Sequence, residues 1–466
     1  MDKLIVEGGH PLDGAVATAG SKNAVLPVLA AALLTQESVT VTNAPRLADV
    51  RTMLKVLEEL GCTSTRDPHG GVTVQAPELP LCRADWEYVR QMRGSVCVLG
   101  PLLARCGRAE ISLPGGCVFG VRPIDVHLKG LAALGARVAI EHGYVIAEAP
   151  PGGLVGAEMF LGSSFGSSVL GTANVMMAAT LARGRTVIQG AACEPEVTDL
   201  ADFLNAMGAK IQGQGSPCIE IEGVEQLGGV TRAVIPDRIE AGTFIAAGAI
   251  TRGRVRVERC RPDHLMVLLD RLSQAGVPYE IGADWVETQA HDGRLQPTDV
   301  TTLPYPGFPT DLQAQWMTLM TRADGLSVIE EHIYPDRYMH VAELARLGAR
   351  IRRQGTTAIV QGGERMSGAP VTASDLRASA ALVLAGLVAD GETEIHRVYH
   401  IDRGYERIEE RLVKLGAVIR REDDRVTEPS YTMVPAPRLS RADEATLAEE
   451  TSVQALLKPE ELEAPS

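Results

Sequence analysis

The alternation of apolar and polar positions along the chain repeats six times. Helix-like stretches with apolar residues at three- and four-residue spacing end in a small apolar-glycine step at Gly61, Gly135, Gly208, Gly276, Gly348 and Gly416. Successive glycines lie 74, 73, 68, 72 and 68 residues apart, a period that argues for repeated supersecondary units. Each unit reads as a short strand, a loop, an amphipathic helix, the glycine stop and two strand-like segments. In the first unit the strand is Ser38–Val41, and Leu47, Val50, Leu54 and Leu57 share one helical face. Gly61 then ends the helix, as a left-handed C-terminal position prefers.

Between the units run stretches of small residues that are apolar nearly all round: Ala24–Leu34, Val96–Ala104, Ala173–Ala182, Gly242–Ile250, Leu312–Met320 and Ala378–Val388. A helix without a polar face belongs in a core. Strands outside and helices inside invert the usual barrel. Six units of this length form two globular lobes of three more naturally than an open solenoid, whose repeats are shorter.

The composition, 45% hydrophobic and 22% charged over 466 residues, is that of an ordinary folded protein of two or three domains. A formal charge of −14 argues against nucleic acid or an anionic membrane as partner, and it requires any anion site to rest on a local cluster of Arg and Lys. Eight cysteines without C-x-x-C pairs or zinc-like spacing read as reduced thiols and not as a zinc site; no metal and no cofactor is expected. The start Met1-Asp2-Lys3-Leu4 lacks a signal pattern, and the longest apolar run, Ala24–Leu34, is too short to span a bilayer; a cytoplasmic protein is expected. Residues 427–466, with eight acids, three bases and several prolines, read as an acidic, disordered tail.

Candidate chemistry concentrates in Pro114-Gly115-Gly116-Cys117-Val118-Phe119-Gly120-Val121-Arg122-Pro123. A thiol serves as nucleophile or proton donor, and a guanidinium five positions on suits phosphate. Glycines let backbone amides approach an anion. Further charges stand where strands give way to helices: Lys22-Asn23, Asp237-Arg238, Asp311, Asp375-Leu376-Arg377, and Asp402-Arg403 before a helix at Tyr405–Leu415. Helix N-termini favour anions, while the plainer reading makes the acids N-caps and the arginines ion-pair partners. An enzyme acting on a phosphorylated substrate follows. The spacing differs from the phosphatase loop, which has five residues between cysteine and arginine where this chain has four.

Seven separated motifs occur in order: Gly20-Ser21-Lys22-Asn23-Ala24, Pro114-Gly115-Gly116-Cys117, Arg122-Pro123, Pro236-Asp237-Arg238-Ile239-Glu240, Phe308-Pro309-Thr310-Asp311, Asp375-Leu376-Arg377-Ala378-Ser379 and Tyr399–Arg407. With them the chain, from Met1 to about Arg420, resembles the UDP-N-acetylglucosamine enolpyruvyl transferase family. The sister family acting on shikimate phosphate lacks the cysteine loop. The resemblance implies an α/β fold, a two-lobed inside-out barrel with three βαβαββ repeats per lobe around buried helices. The lobes would be 22–235 and 1–21 with 236–425, closing on substrate. The implied reaction moves the enolpyruvyl group of phosphoenolpyruvate to the sugar 3-hydroxyl by addition and elimination, releasing phosphate, as the first committed step towards peptidoglycan. The family's place in cell-wall building, cell shape and division comes with it.

Residue by residue, the resemblance makes Cys117 the general acid, the site of a phosphoenolpyruvate adduct and the target of fosfomycin. Lys22, Asn23, Arg122 and Arg403 would hold phosphoenolpyruvate, and Asp311 would take the hydroxyl proton. Arg93, Arg122, Pro123, Ile124, Asp125, Val126, Ser168, Val169, Asp311 and Ile333 would contact the UDP-sugar. His127 is either a proton relay or a loop hydrogen-bonding group. Arg122 would lower the Cys117 pKa and burial would raise it. The chain departs from the family at Gly166 and Leu170, after an apparent two-residue insertion, and at Cys193 and Pro335. These changes touch the UDP side of the site. They leave room for a different nucleotide acceptor or, less in keeping with the retained residues, a non-catalytic nucleotide-sugar binder.

Overall fold

The computed structural model describes residues 2–68, 70–113, 124–163, 166–363 and 365–423. They belong to one compact unit, Met1–Asp424; a second unit is Arg425–Ser466, so the tail expected at 427–466 lies outside the described residues.

The described residues form six four-stranded sheets with one plan. In the first, Val39–Thr42 pairs in parallel with Val230–Ala233 and antiparallel with Val72–Gln75, which pairs antiparallel with Thr63–Arg66. Alternation explains the faces: Val39 and Val41 are fully buried, while Thr40 turns outward and its hydroxyl lies 2.9 Å from that of Thr73 across the pair. The parallel edge strand of this sheet comes from beyond the third repeat, so the first three sheets close on themselves. The other three close through the N-terminus. Asp13–Ala17 is the parallel edge of the sheet holding Arg254–Glu258, and Asp2–Glu7 lies between Glu392–His396 and Val418–Asp423.

Inside stand the small-residue helices: Lys22–Ala31, Leu99–Cys106, Val169–Ala179, Arg238–Ile250, Gln313–Met320 and Leu376–Gly386. From Ala24 to Ala31 the first is buried at every position, and Arg238–Ile250 is buried from Ile239 onwards. Close packing needs the small residues: a Cβ on Gly100 would come within 2.3 Å of the Asn174 carbonyl oxygen on a neighbouring helix. All six predicted stop glycines have positive φ, between 80° and 106°.

The buried apolar residues fall into two clusters. One runs from Ala24 to Val234; the other joins Leu4–Val16 to residues 239–419. The chain passes between them at two adjacent points, where Gly20 bridges Pro236 and the Ser21 amide donates to the Ile235 carbonyl at 2.8 Å.

One helix starts later than its periodicity suggests. The expected Tyr405–Leu415 helix begins at Ile408, and Arg403 closes a 3-10 turn, Val398–Arg403. Arg407 takes a left-handed φ of 48°. Tyr405 turns inward, its hydroxyl 2.8 Å from that of Thr243, which a helix running through 405 would not allow.

Candidate active site

A cleft of about 1260 Å³ draws its walls from both clusters. Helix starts aim into it. Lys22 is the first residue of its helix, where the Ser21 hydroxyl accepts from the Ala24 amide. Asp237 caps Arg238–Ile250 through Oδ1 and takes the Lys22 amide on Oδ2 at 2.9 Å, so one carboxylate fixes two helix starts. Asp375 caps Leu376–Gly386 and sets Arg377 on its first turn. The plainer reading of these acids as N-caps holds for Asp237 and Asp375. It fails for Asp311, which caps no helix and turns its carboxylate to arginines.

Two carboxylates organise the cations. Asp49 receives Lys22 Nζ at 3.1 Å and Arg403 Nε at 2.9 Å. Burial alone would raise its pKa; the two cations outweigh burial and hold it below the usual carboxylate range. Asp311 takes Arg337 Nη1 on Oδ1 at 2.8 Å and Arg377 Nη2 on Oδ2 at 2.9 Å, with Asn23 Nδ2 at 3.4 Å. Here too burial pushes upward, and Arg377 and Arg337 override it, leaving the carboxyl well below its ordinary value.

A third group lines the same cleft. Glu196 receives Arg238 Nε at 3.0 Å, and Glu194 accepts the Tyr305 amide at 3.3 Å. Burial raises the Glu194 carboxyl. Ser163 and Gly166 bond each other through their backbones, and Gly166, at φ 93°, brings the turn against Pro304. A side chain at 166 would be strained in that conformation, which favours glycine there.

Of the expected site residues, Lys22, Asn23, Arg93, Asp125, Val126, Ser168, Val169, Asp311, Ile333 and Arg403 line this one cleft. Ile124 is buried in the first cluster instead. Cys117, Arg122 and Pro123 lie outside the described residues. His127 is buried, and burial together with Arg93 lowers its pKa to about 3. Asn174 Oδ1 accepts from the Gly100 amide, so its Nδ2 donates to the Val96 carbonyl and to His127 Nδ1 at 2.9 Å. His127 is thus neutral with Nδ1 as acceptor, which favours the hydrogen-bonding reading over the relay.

Sequence reasoning missed Asp49, Arg337, Glu194 and Glu196 as cleft residues. Asp49 carried a signal: it stands four positions before Met53 and seven before Val56, both buried, so an acid interrupts an apolar face. Arg337 sits in an irregular loop without periodicity.

A ring of small sheets around buried helices, with helix starts converging on a cation-lined cleft, defines the class. The family model of EPSP synthase (3-phosphoshikimate 1-carboxyvinyltransferase) matches residues 6–412, and the chain belongs to that family of enolpyruvyl transferases. Within it the chain is similar to proteins named UDP-N-acetylglucosamine 1-carboxyvinyltransferase. The one from Anaeromyxobacter sp. is 54% identical over 91% of this chain and 100% of its own length; that of Coxiella burnetii is 50% identical over 92% and 98%. Among solved structures, the enolpyruvyl transferase NikO from Streptomyces tendae superposes with a TM-score of 0.81 at 27% identity, covering 90% of this chain and 98% of that one. EPSP synthase from Acinetobacter baumannii gives 0.69 at 18%, covering 91% and 100%, a likeness of fold.

Proposed function

We propose that this protein transfers the enolpyruvyl group of phosphoenolpyruvate to the 3-hydroxyl of UDP-N-acetylglucosamine, releasing phosphate. The observation that carries the reading is the convergence of Lys22, Asn23, Asp311 and Arg403, from motifs hundreds of residues apart, on one cleft. The names of relatives at 50–54% identity over nearly the whole chain support the choice of substrates.

The chemistry follows from the charges. Lys22 and Arg403, already oriented by Asp49, present two cations to the phosphate of phosphoenolpyruvate. Cys117 supplies the proton to the methylene carbon, leaving C2 electrophilic. The sugar hydroxyl attacks C2, and its own proton becomes strongly acidic as the C–O bond forms. Asp311, ionised at neutral pH but weakened as a base by Arg337 and Arg377, suffices for a proton so acidic. The ketal then loses a proton from its C3 methyl group and expels phosphate, which restores the carbon–carbon double bond. Arg93, Arg122, the backbone from Arg122 to Val126, Ser168, Val169 and Ile333 contact the UDP-sugar on this reading. The lobes are 22–235 and 1–21 with 236–425, and the reaction is a cytoplasmic step towards peptidoglycan.

The test is phosphate release. Both substrates together are expected to give it, neither alone, and fosfomycin is expected to stop it while adding its mass at Cys117. Release from phosphoenolpyruvate without the sugar, or turnover with a different nucleotide acceptor in its place, would overturn the reading.

A further inference from the structure

Seven cysteines fall among the described residues, and the cleft uses none of them. Cys82 and Cys106 stand apart from the rest. Both sulfurs reach the same acceptor, the Pro80 carbonyl oxygen, at 3.8 Å and 3.9 Å. Both are only partly buried, and each thiol has that one carbonyl oxygen within hydrogen-bonding reach. Their backbones are held on either side of one parallel strand pair. Arg83 registers with Glu110, the Glu110 amide donates to the Cys82 carbonyl at 2.7 Å, and Leu81 is tied to Leu60. Cys106 ends the core helix Leu99–Cys106, and Gly107 turns the chain away in the left-handed region. Neighbouring Arg105 clamps that helix end to the carbonyls of Leu33, Thr35 and Pro77. The fold thus brings both sulfurs to one carbonyl oxygen.

We infer that Cys82 and Cys106 form a redox-active dithiol that closes to a disulfide by exchange with a low-molecular-mass disulfide such as oxidised glutathione. The Cys82 thiolate attacks one glutathione sulfur, and the S–S bond breaks to release one glutathione thiol. Cys106, losing its proton to solvent, attacks the Cys82 sulfur and releases the second glutathione thiol. Two protein S–H groups become one S–S bond, and the oxidant is reduced to two thiols. Burial and the neighbouring Cys82 push the Cys106 thiol up to about 12, which disfavours Cys106 as the first nucleophile. The crosslink would ring the segment between the two cysteines, which carries Arg90–Gly94 of the cleft wall.

The test is a non-reducing peptide map of the full-length protein after exposure to oxidised glutathione. The expected product is a Cys82–Cys106 crosslinked peptide lacking both thiol hydrogens and restored to two thiols by dithiothreitol. Cys218, exposed on a strand, is expected to stop at a mixed disulfide instead. Cys106→Ser is expected to trap Cys82 as a stable glutathione adduct. Cys82→Ser is expected to leave Cys106 a free thiol, with phosphate release by both variants matching the unsubstituted protein. Recovery of Cys82 and Cys106 as free thiols under conditions that modify Cys218, or of Cys82 as a mixed disulfide in the unsubstituted protein, would overturn the inference.

Discussion

At the scale of single residues, buried carboxylates divide into two kinds. Asp49 and Asp311 are pulled down by cations; Asp199 is pushed up. Asp49 makes no contact that the chemistry requires of itself, yet it orients both Lys22 and Arg403. Asp49→Asn keeps the shape and removes the charge. The KM for phosphoenolpyruvate should rise about tenfold, about 1.4 kcal/mol of lost positioning, with a much smaller change for the sugar. Equal rises for both substrates in steady-state kinetics would contradict the role given to Asp49. Asp199, on the helix Pro195–Ala206, is 3% exposed and accepts the Ile235 amide at 3.2 Å. Burial raises its carboxyl to about 6. Its unfolded value is about 4, so between pH 4 and pH 6 the folded chain binds more protons than the unfolded one, and stability falls as pH rises through that window. Asp199→Asn preserves an acceptor for Ile235 and removes the penalty. The variant should match the parent near pH 4 and exceed it by up to about 2 kcal/mol at pH 7. A pH-independent gap in denaturant melts would show that Asp199 titrates normally.

At the scale of elements, two kinds of glycine separate conformation from packing. Gly208 ends the helix Pro195–Ala206 at φ 106°, and a Cβ there would meet nothing within 4 Å. Gly208→Ala therefore costs about 1 kcal/mol, the price of left-handed backbone alone. Gly100 is helical, but its Cβ would strike the Asn174 backbone. Gly100→Ala should cost about 3 kcal/mol or more, because two core helices must part and the buried Asn174 network with them. Equal losses in urea melts would sink this distinction. The six stop glycines were readable because a left-handed turn leaves its mark on one residue type, and the core helices because a helix apolar all round has nowhere else to go. Strand partners were not readable. Nothing local in Val230–Ala233 or Asp13–Ala17 announces a parallel neighbour hundreds of residues away. The helix expected from Tyr405 failed for a related reason: the tyrosine answers to Thr243 and Arg377, not to its own helical face. In the cleft, the motif residues Lys22, Asn23, Asp311 and Arg403 could be found from sequence. Asp49 left only the mark of an acid on an apolar face, and Arg337 and the Glu194–Glu196 pair, whose roles depend on partners brought by folding, left none.

At the scale of the whole molecule, the proposed division into lobes makes a few side chains bear the coupling between them. Asp49–Arg403 and Glu196–Arg238 are ion pairs between the two apolar clusters, and Asn23–Asp311 is a hydrogen bond of the same kind. Glu196–Arg238 includes neither Lys22 nor Arg403, so it can be altered without changing either phosphate cation. Both of its members are nearly buried, and breaking such a pair leaves one uncompensated charge. Glu196→Gln keeps the volume and one acceptor but loses the charge pairing. If the lobes close as rigid bodies, the substrate-free variant should have a larger radius of gyration in small-angle scattering. Both KM values should rise, since binding must then supply the closure that the ion pair had contributed, while kcat at saturation changes less than about threefold. An unchanged radius with unchanged KM values would mean that the two clusters are fixed against each other by their paired backbones at Gly20 and Pro236, and that the cleft is open or shut for reasons other than this ion pair.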